Sequence, residues 1–89
     1  MRIYMQTRPD EGNQLRFYQL QLQRDMFGGW SMIREWGVQG SSGTVKRTHF
    51  DEFDKALAAM MKLRSTQLKR GYYLMFVNGD LPELRDMGS

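Results

Sequence analysis

From Leu15 to Gln23 the chain changes character at every second residue, so that Tyr18, Leu20 and Leu22 share one side of an extended segment and Phe17, Gln19 and Gln21 the other. That is the pattern of a half-buried strand. Trp30–Trp36 resumes the period of two, with Trp30, Met32, Arg34 and Trp36 on one side and Ser31, Ile33 and Glu35 on the other. Between the two strands, Asp25-Met26-Phe27-Gly28-Gly29 supplies the backbone freedom of a hairpin turn. Met1–Thr7 reads as a short strand before them, followed by a polar loop, Arg8–Gln14, that holds Pro9, Asp10 and Gly12. Thr44–Phe50 reads as a further meander strand after the glycine- and serine-rich stretch Gly37–Gly43.

The period then changes. Phe53, Ala56, Leu57, Met60 and Leu63 recur at helical spacing, with Met61 and Leu68 at the margins of the stripe. Asp51 is the expected N-cap, Glu52 and Asp54 place negative charge in the first turn, and Lys69-Arg70-Gly71 ends the helix with positive charge and a left-handed cap. Tyr72–Val77 is a continuous apolar run, read as a last, well-buried strand before Asn78-Gly79-Asp80 turns into a polar tail, about 78–89, containing Pro82. The expected fold is α+β: a twisted antiparallel sheet of about four or five strands with one helix, about 51–70, packed on one face.

Composition narrows what such a fold can do. At 89 residues, 40% apolar and 26% charged, the chain has the make-up of one globular domain, 1–89, with room for one core. It has no cysteine, which removes disulfides and thiolate chemistry. The first residues lack an apolar leader, and no stretch approaches the roughly 18 apolar residues of a membrane span; a cytoplasmic address and no membrane partner are expected. Residues 1–50 hold seven Lys/Arg against four Asp/Glu, and residues 51–89 six of each, so the net +3 belongs to the sheet-forming half. Such a balance permits an anionic partner.

Chemistry-bearing residues are few. His49 is the only histidine, with no acidic or hydroxyl residue at a spacing that suggests a triad or metal site, so it reads as structural or solvent-facing. Asp51, Glu52 and Asp54 lie where a helix start favours negative charge. No catalytic residue, metal site, cofactor or small-molecule substrate is expected. The eight methionines include Met5, Met26, Met75 and Met87, which either fill an irregular core or form an adaptable protein-contact patch. Lys62, Arg64, Lys69 and Arg70 make the second half of the helix basic, which suits the helix dipole and equally an anionic ligand.

The strongest feature is Trp36-Gly37-Val38-Gln39-Gly40-Ser41-Ser42-Gly43, a tryptophan at a strand end followed at once by glycine-rich backbone. Two duties suit such an indole: stacking on a base or sugar, worth roughly 1–3 kcal/mol per base, or closing the end of the core. Here the chain resembles the WGR domain family, named for a Trp-Gly-Arg signature. The likeness runs from about Asn13 to Tyr73: Phe17–Leu22 looks like the first core strand, Trp30–Trp36 like the second, Gly40–Gly43 like the glycine-bounded loop, and Lys69-Arg70-Gly71-Tyr72 like the helix exit. WGR domains occur in DNA-damage-activated poly(ADP-ribose) polymerases and in bacterial proteins resembling a molybdate-metabolism regulator. The resemblance implies a non-catalytic module that recognises DNA ends, with Trp36 as the stacking residue, Gly37 beside it and Lys46 near the phosphates. Val38 stands where the signature arginine would be. Arg34, Gln39 and Arg47 are alternative donors, and the alternative function is a protein-interaction or regulatory adaptor in which that replacement has removed DNA binding.

Overall fold

In the computed structural model, which describes residues 1–8 and 14–79, the alternating segments form one five-stranded antiparallel sheet. Its strands are β1 (Arg2–Thr7), β2 (Arg16–Arg24), β3 (Trp30–Val38), β4 (Thr44–Phe50) and β5 (Tyr72–Asn78), in the spatial order β4-β3-β2-β1-β5. The helix α1, Phe53–Lys69, leaves the β4 edge, packs over one face and delivers the chain to β5 at the opposite edge. The loop residues Pro9, Asp10 and Gly12, and the tail from Asp80 with Pro82 and Met87, lie outside the described residues.

The predicted faces follow from the pleat. Ile3 and Met5 of β1, Tyr18, Leu20 and Leu22 of β2, and Met32 of β3 are buried beneath Ala56, Leu57 and Met60 of α1. Three methionines therefore fill the core, whereas Met26 and Met75 are exposed. Trp30 closes one end, its ring meeting Phe53 edge-on with centroids 4.8 Å apart. Gln67, a polar residue outside the predicted stripe, is buried on the same helix face.

Both ends of the helix were expected one or two residues further out. Asp51 is not the N-cap: Glu52 holds that position in an extended conformation and makes no side-chain cap bond. The Asp51 carboxylate instead accepts a hydrogen bond from His49 Nε2 at 2.9 Å. At the other end Gly71 takes φ +102°, the left-handed turn that glycine makes at little cost.

The expected burial of β5 is corrected. Tyr73, Leu74, Met75, Phe76 and Val77 are all exposed, because β5 pairs with β1 alone and forms a margin of the sheet. A continuous apolar run signals a strand covered on both faces, but here, among the described residues, β5 has a neighbouring strand on one flank alone.

Candidate nucleic-acid interface

Cross-strand register gathers the site. On the helix-facing side Trp36 lies opposite Tyr18 of β2 and Thr44 of β4, Arg34 lies opposite Lys46, and Val38 lies opposite Arg16. The Trp36 ring stacks on Tyr18 with centroids 5.7 Å apart and planes 15° from parallel, and Tyr18 meets Tyr72 edge-on. Trp36 is neither sealed nor free: it is half-buried, one part resting on the core tyrosine. The Arg34 guanidinium sits 5.2 Å from the indole centroid, within cation–π range.

Beside this stack is a cleft of about 630 Å³ between the sheet and the second half of α1. Trp36, Tyr18 and Tyr72 supply its aromatic surface, Arg16, Arg34 and Arg70 its charge, and no carboxylate is among its described lining residues. A recess of about 270 Å³ lies between Arg16, Trp36, Gly37, Val38 and Tyr72. Arg34 and Lys46 face each other as like charges across the ladder, an arrangement that costs stability unless an anion lies between them. Arg34 Nε is also buried without a protein acceptor among the described residues.

The sequence candidates separate over the two faces. Trp36, Arg34 and Lys46 share the helix side, although Lys46 does not line the cleft. Gln39 is turned to the other side, where its Oε1 accepts hydrogen bonds from the Tyr4 hydroxyl at 3.2 Å and from Gln6 Nε2 at 3.4 Å. Arg47 pairs with Ile33 on that other side as well. Gly37 serves a close approach: a Cβ there would lie 3.1 Å from the Gly43 Cα, so the two ends of the loop pass backbone to backbone. The turn between them is held by Ser41, whose N–H and hydroxyl both donate to the Val38 carbonyl.

The cleft residue that sequence reasoning did not name is Arg16; Arg70, part of the basic second half of the helix, joins it in the lining. Arg16 begins β2, and its backbone N–H donates to Thr7 Oγ1 at 3.0 Å. Directly across the ladder from Val38, it brings a guanidinium to the place where the signature arginine is missing. Only the register of β2 against β3, 22 residues apart at this pair, could have revealed it.

His49 also differs from its expected isolation. Its Nδ1 bonds Asp25 Oδ2, and its Nε2 bonds Asp51 Oδ1. Hydrogen bonds to Asp51 and Asp25 hold the imidazole above its ordinary range, outweighing partial desolvation. For Asp25, burial works against ionisation but is outweighed by the N–H groups of Gly29 and Phe27 and by His49, so its carboxyl lies below the usual range. A raised histidine stabilises below its unfolded-state pKa, and that stabilisation is lost as pH rises through the folded value. A lowered carboxyl stabilises above its unfolded-state pKa and loses its contribution as pH falls through the folded value. The β2–β3 turn is therefore expected to be held best between these two limbs. An NMR titration should place the His49 midpoint above that of a free imidazole, and Asp25→Asn should lower it; an unmoved midpoint in the variant would show that Asp25 does not hold the ring.

Cations around an aromatic floor suit a ligand that is both flat and anionic, and rigid strands and one helix hold them in place. That is the build of a binding module of the α+β class. The chain belongs to the WGR domain family, whose profile matches residues 1–75. The WGR domain is a non-catalytic module, and at family level it supports a nucleic-acid-binding or regulatory role. The chain is also 28% identical over 71 residues to an uncharacterized protein, y4dW, of Sinorhizobium fredii (strain NBRC 101917 / NGR234). That alignment takes in 80% of this chain and 35% of the relative, so the chain spans about a third of that protein's length. Among the described residues no helix is long and apolar enough to cross a membrane.

Proposed function

We propose that this domain binds the end of a DNA duplex, with Trp36 against the terminal nucleotide and Arg16, Arg34 and Lys46 toward its phosphates. The observation that carries the reading is Arg16 opposite Val38: a guanidinium on the neighbouring strand lines the same recess as the substituted signature position. A charge-assisted hydrogen bond to phosphate is worth about 1.5–3 kcal/mol, so this replacement decides whether the valine is tolerated. Gln39, bonded to Tyr4 and Gln6, takes no part in this version of the site. Binding, without a reaction, is the proposed activity.

The test is a titration of the protein with a blunt, 5′-phosphorylated DNA hairpin and, in parallel, with a duplex closed by loops at both ends. The open hairpin should bind more tightly, and added salt should weaken it. Trp36→Ala should cost about 1–3 kcal/mol, roughly five- to 150-fold in affinity, and Arg16→Ala a similar factor. Val38→Arg should tighten binding about tenfold. Equal affinity for the closed duplex, or indifference to Trp36→Ala, would remove the end-recognition reading. The adaptor reading draws on Met26 and Phe27, 92% and 85% exposed at the hairpin tip; it gains if neither DNA binds at low salt.

A further inference from the structure

The face of the sheet turned away from α1 has no covering element among the described residues, and its composition is specific. Because Ile3 and Met5 point beneath the helix, Tyr4 and Gln6 point the other way, in register with Gln19 and Phe17 of β2 and with Phe76 and Tyr73 of β5. Three rings form one band: Tyr4 lies 6.3 Å from Phe17 and 5.3 Å from Phe76 between centroids, with planes within 8° of parallel. The Arg2 guanidinium stands 5.3 Å from the Phe76 ring centre and that of Arg8 4.4 Å from Tyr73. Phe76 and Tyr73 are each 43% exposed.

We propose that this open face is a binding surface for single-stranded nucleic acid, separate from the Trp36 cleft. The inference shares with the reading above only the class of partner. Single strands are held by aromatic rings and guanidinium planes on which unstacked bases lie, combined with positive charge along the backbone path. At the β1–β5 margin the faces of Tyr4 are taken by Phe17 and Phe76, and the platforms offered to a base are the guanidinium planes of Arg2 and Arg8, backed by Phe76 and Tyr73. Arg2 and Arg8 are already poised on rings, each able to offer its outer plane to a base, and Arg47 adds charge on the β4 side of the same face, where the carboxylates among the described residues include Glu35 and Asp25, the latter bonded to His49. Gln19 and Gln21 provide amide donors and acceptors for base edges between these points, while the Gln6 amide nitrogen already donates to the Tyr4 hydroxyl and to Gln39. A duplex keeps its ring faces stacked away from such a surface, whereas a single strand presents them. A protein strand added along β5 would use the backbone margin but leave the guanidinium groups and amides without partners.

The experiment uses a closed circle of about 30 thymidylates, which has no ends and exceeds the roughly 4–16 nucleotides that one small fold covers. The full chain should bind the circle, more weakly as salt rises, and Phe76→Ala and Tyr73→Ala should each lower affinity about tenfold, while Trp36→Ala leaves it unchanged. Both positions are exposed on a marginal strand; if either variant melts early, Arg8→Ala carries the same test without altering a strand. Failure to bind the circle at low salt overturns the proposal even where the duplex end binds, and binding of the circle upholds it even where the duplex end does not. Loss of circle binding in Trp36→Ala, or retention in both ring variants, also overturns it. So does a chain that ignores the circle and sediments as a dimer, with Met75→Lys restoring the monomer, since a second copy would then occupy the β5 margin.

Discussion

Leu20→Ala is expected to remove about 2–5 kcal/mol of folding free energy, the range for truncating a fully buried leucine whose surroundings relax only in part. Leu20 has no exposed surface and sits on β2, the middle strand of five, between Ile3 of β1 and Arg34 of β3. It belongs to the cluster that the α1 residues Ala56 and Met60 complete. Folded domains are stabilised by only about 5–15 kcal/mol in total, so the change would consume much of what a small domain has. Urea unfolding should show the midpoint falling while the slope stays constant. A loss below about 1 kcal/mol would mean that the helix does not seat over the centre of the sheet as described.

Gly29→Ala is expected to destabilise by about 1–3 kcal/mol or more, the cost of forcing atoms into a packed site. A Cβ on Gly29 would lie 2.6 Å from the Phe50 carbonyl oxygen and 2.6 Å from His49 Cε1. The imidazole could swing aside only by breaking its bonds to Asp25 and Asp51, and the carbonyl belongs to the β4 backbone. Gly28→Ala is a useful comparison, because its Cβ would meet open space while its backbone, at φ +83°, disfavours any side chain by about 1–2 kcal/mol. The Gly29 variant should therefore also displace the His49 titration toward that of a free imidazole, and the Gly28 variant should not. Equal effects of the two on that titration would mean that the contact with His49 is not what makes Gly29 necessary.

Periodicity was enough to find the strands and the helix because each has a face that must be apolar and a face that need not be. Tyr18, Leu20 and Leu22 alternate with glutamines, and no helix could keep those two sets apart. Periodicity carries no information about which strand ends up at a margin, and so Tyr72–Val77, apolar throughout, looked interior. The site divides in the same way. Trp36 and its glycines are adjacent in the chain and were visible there, whereas the shared side of Arg34 and Lys46 comes from the pairing of β3 with β4. Arg16 depends on register, and Gln39 on the path of a turn; neither is encoded in local pattern. Asp25 and His49 are 24 residues apart and meet only because a hairpin turn and the end of the neighbouring strand reach the same corner of the sheet.

The sheet order has a kinetic consequence. β1, among the first residues of this segment to leave the ribosome, acquires its outer neighbour only from residues 72–78, so the ladder between them closes a loop that contains the rest of the fold. Contacts so distant along the chain slow folding, into the millisecond-to-second range for topologies dominated by them. Until β5 arrives, β1 can pair on one flank alone, and a nascent chain stopped at Gly71 would still present the other flank to its surroundings.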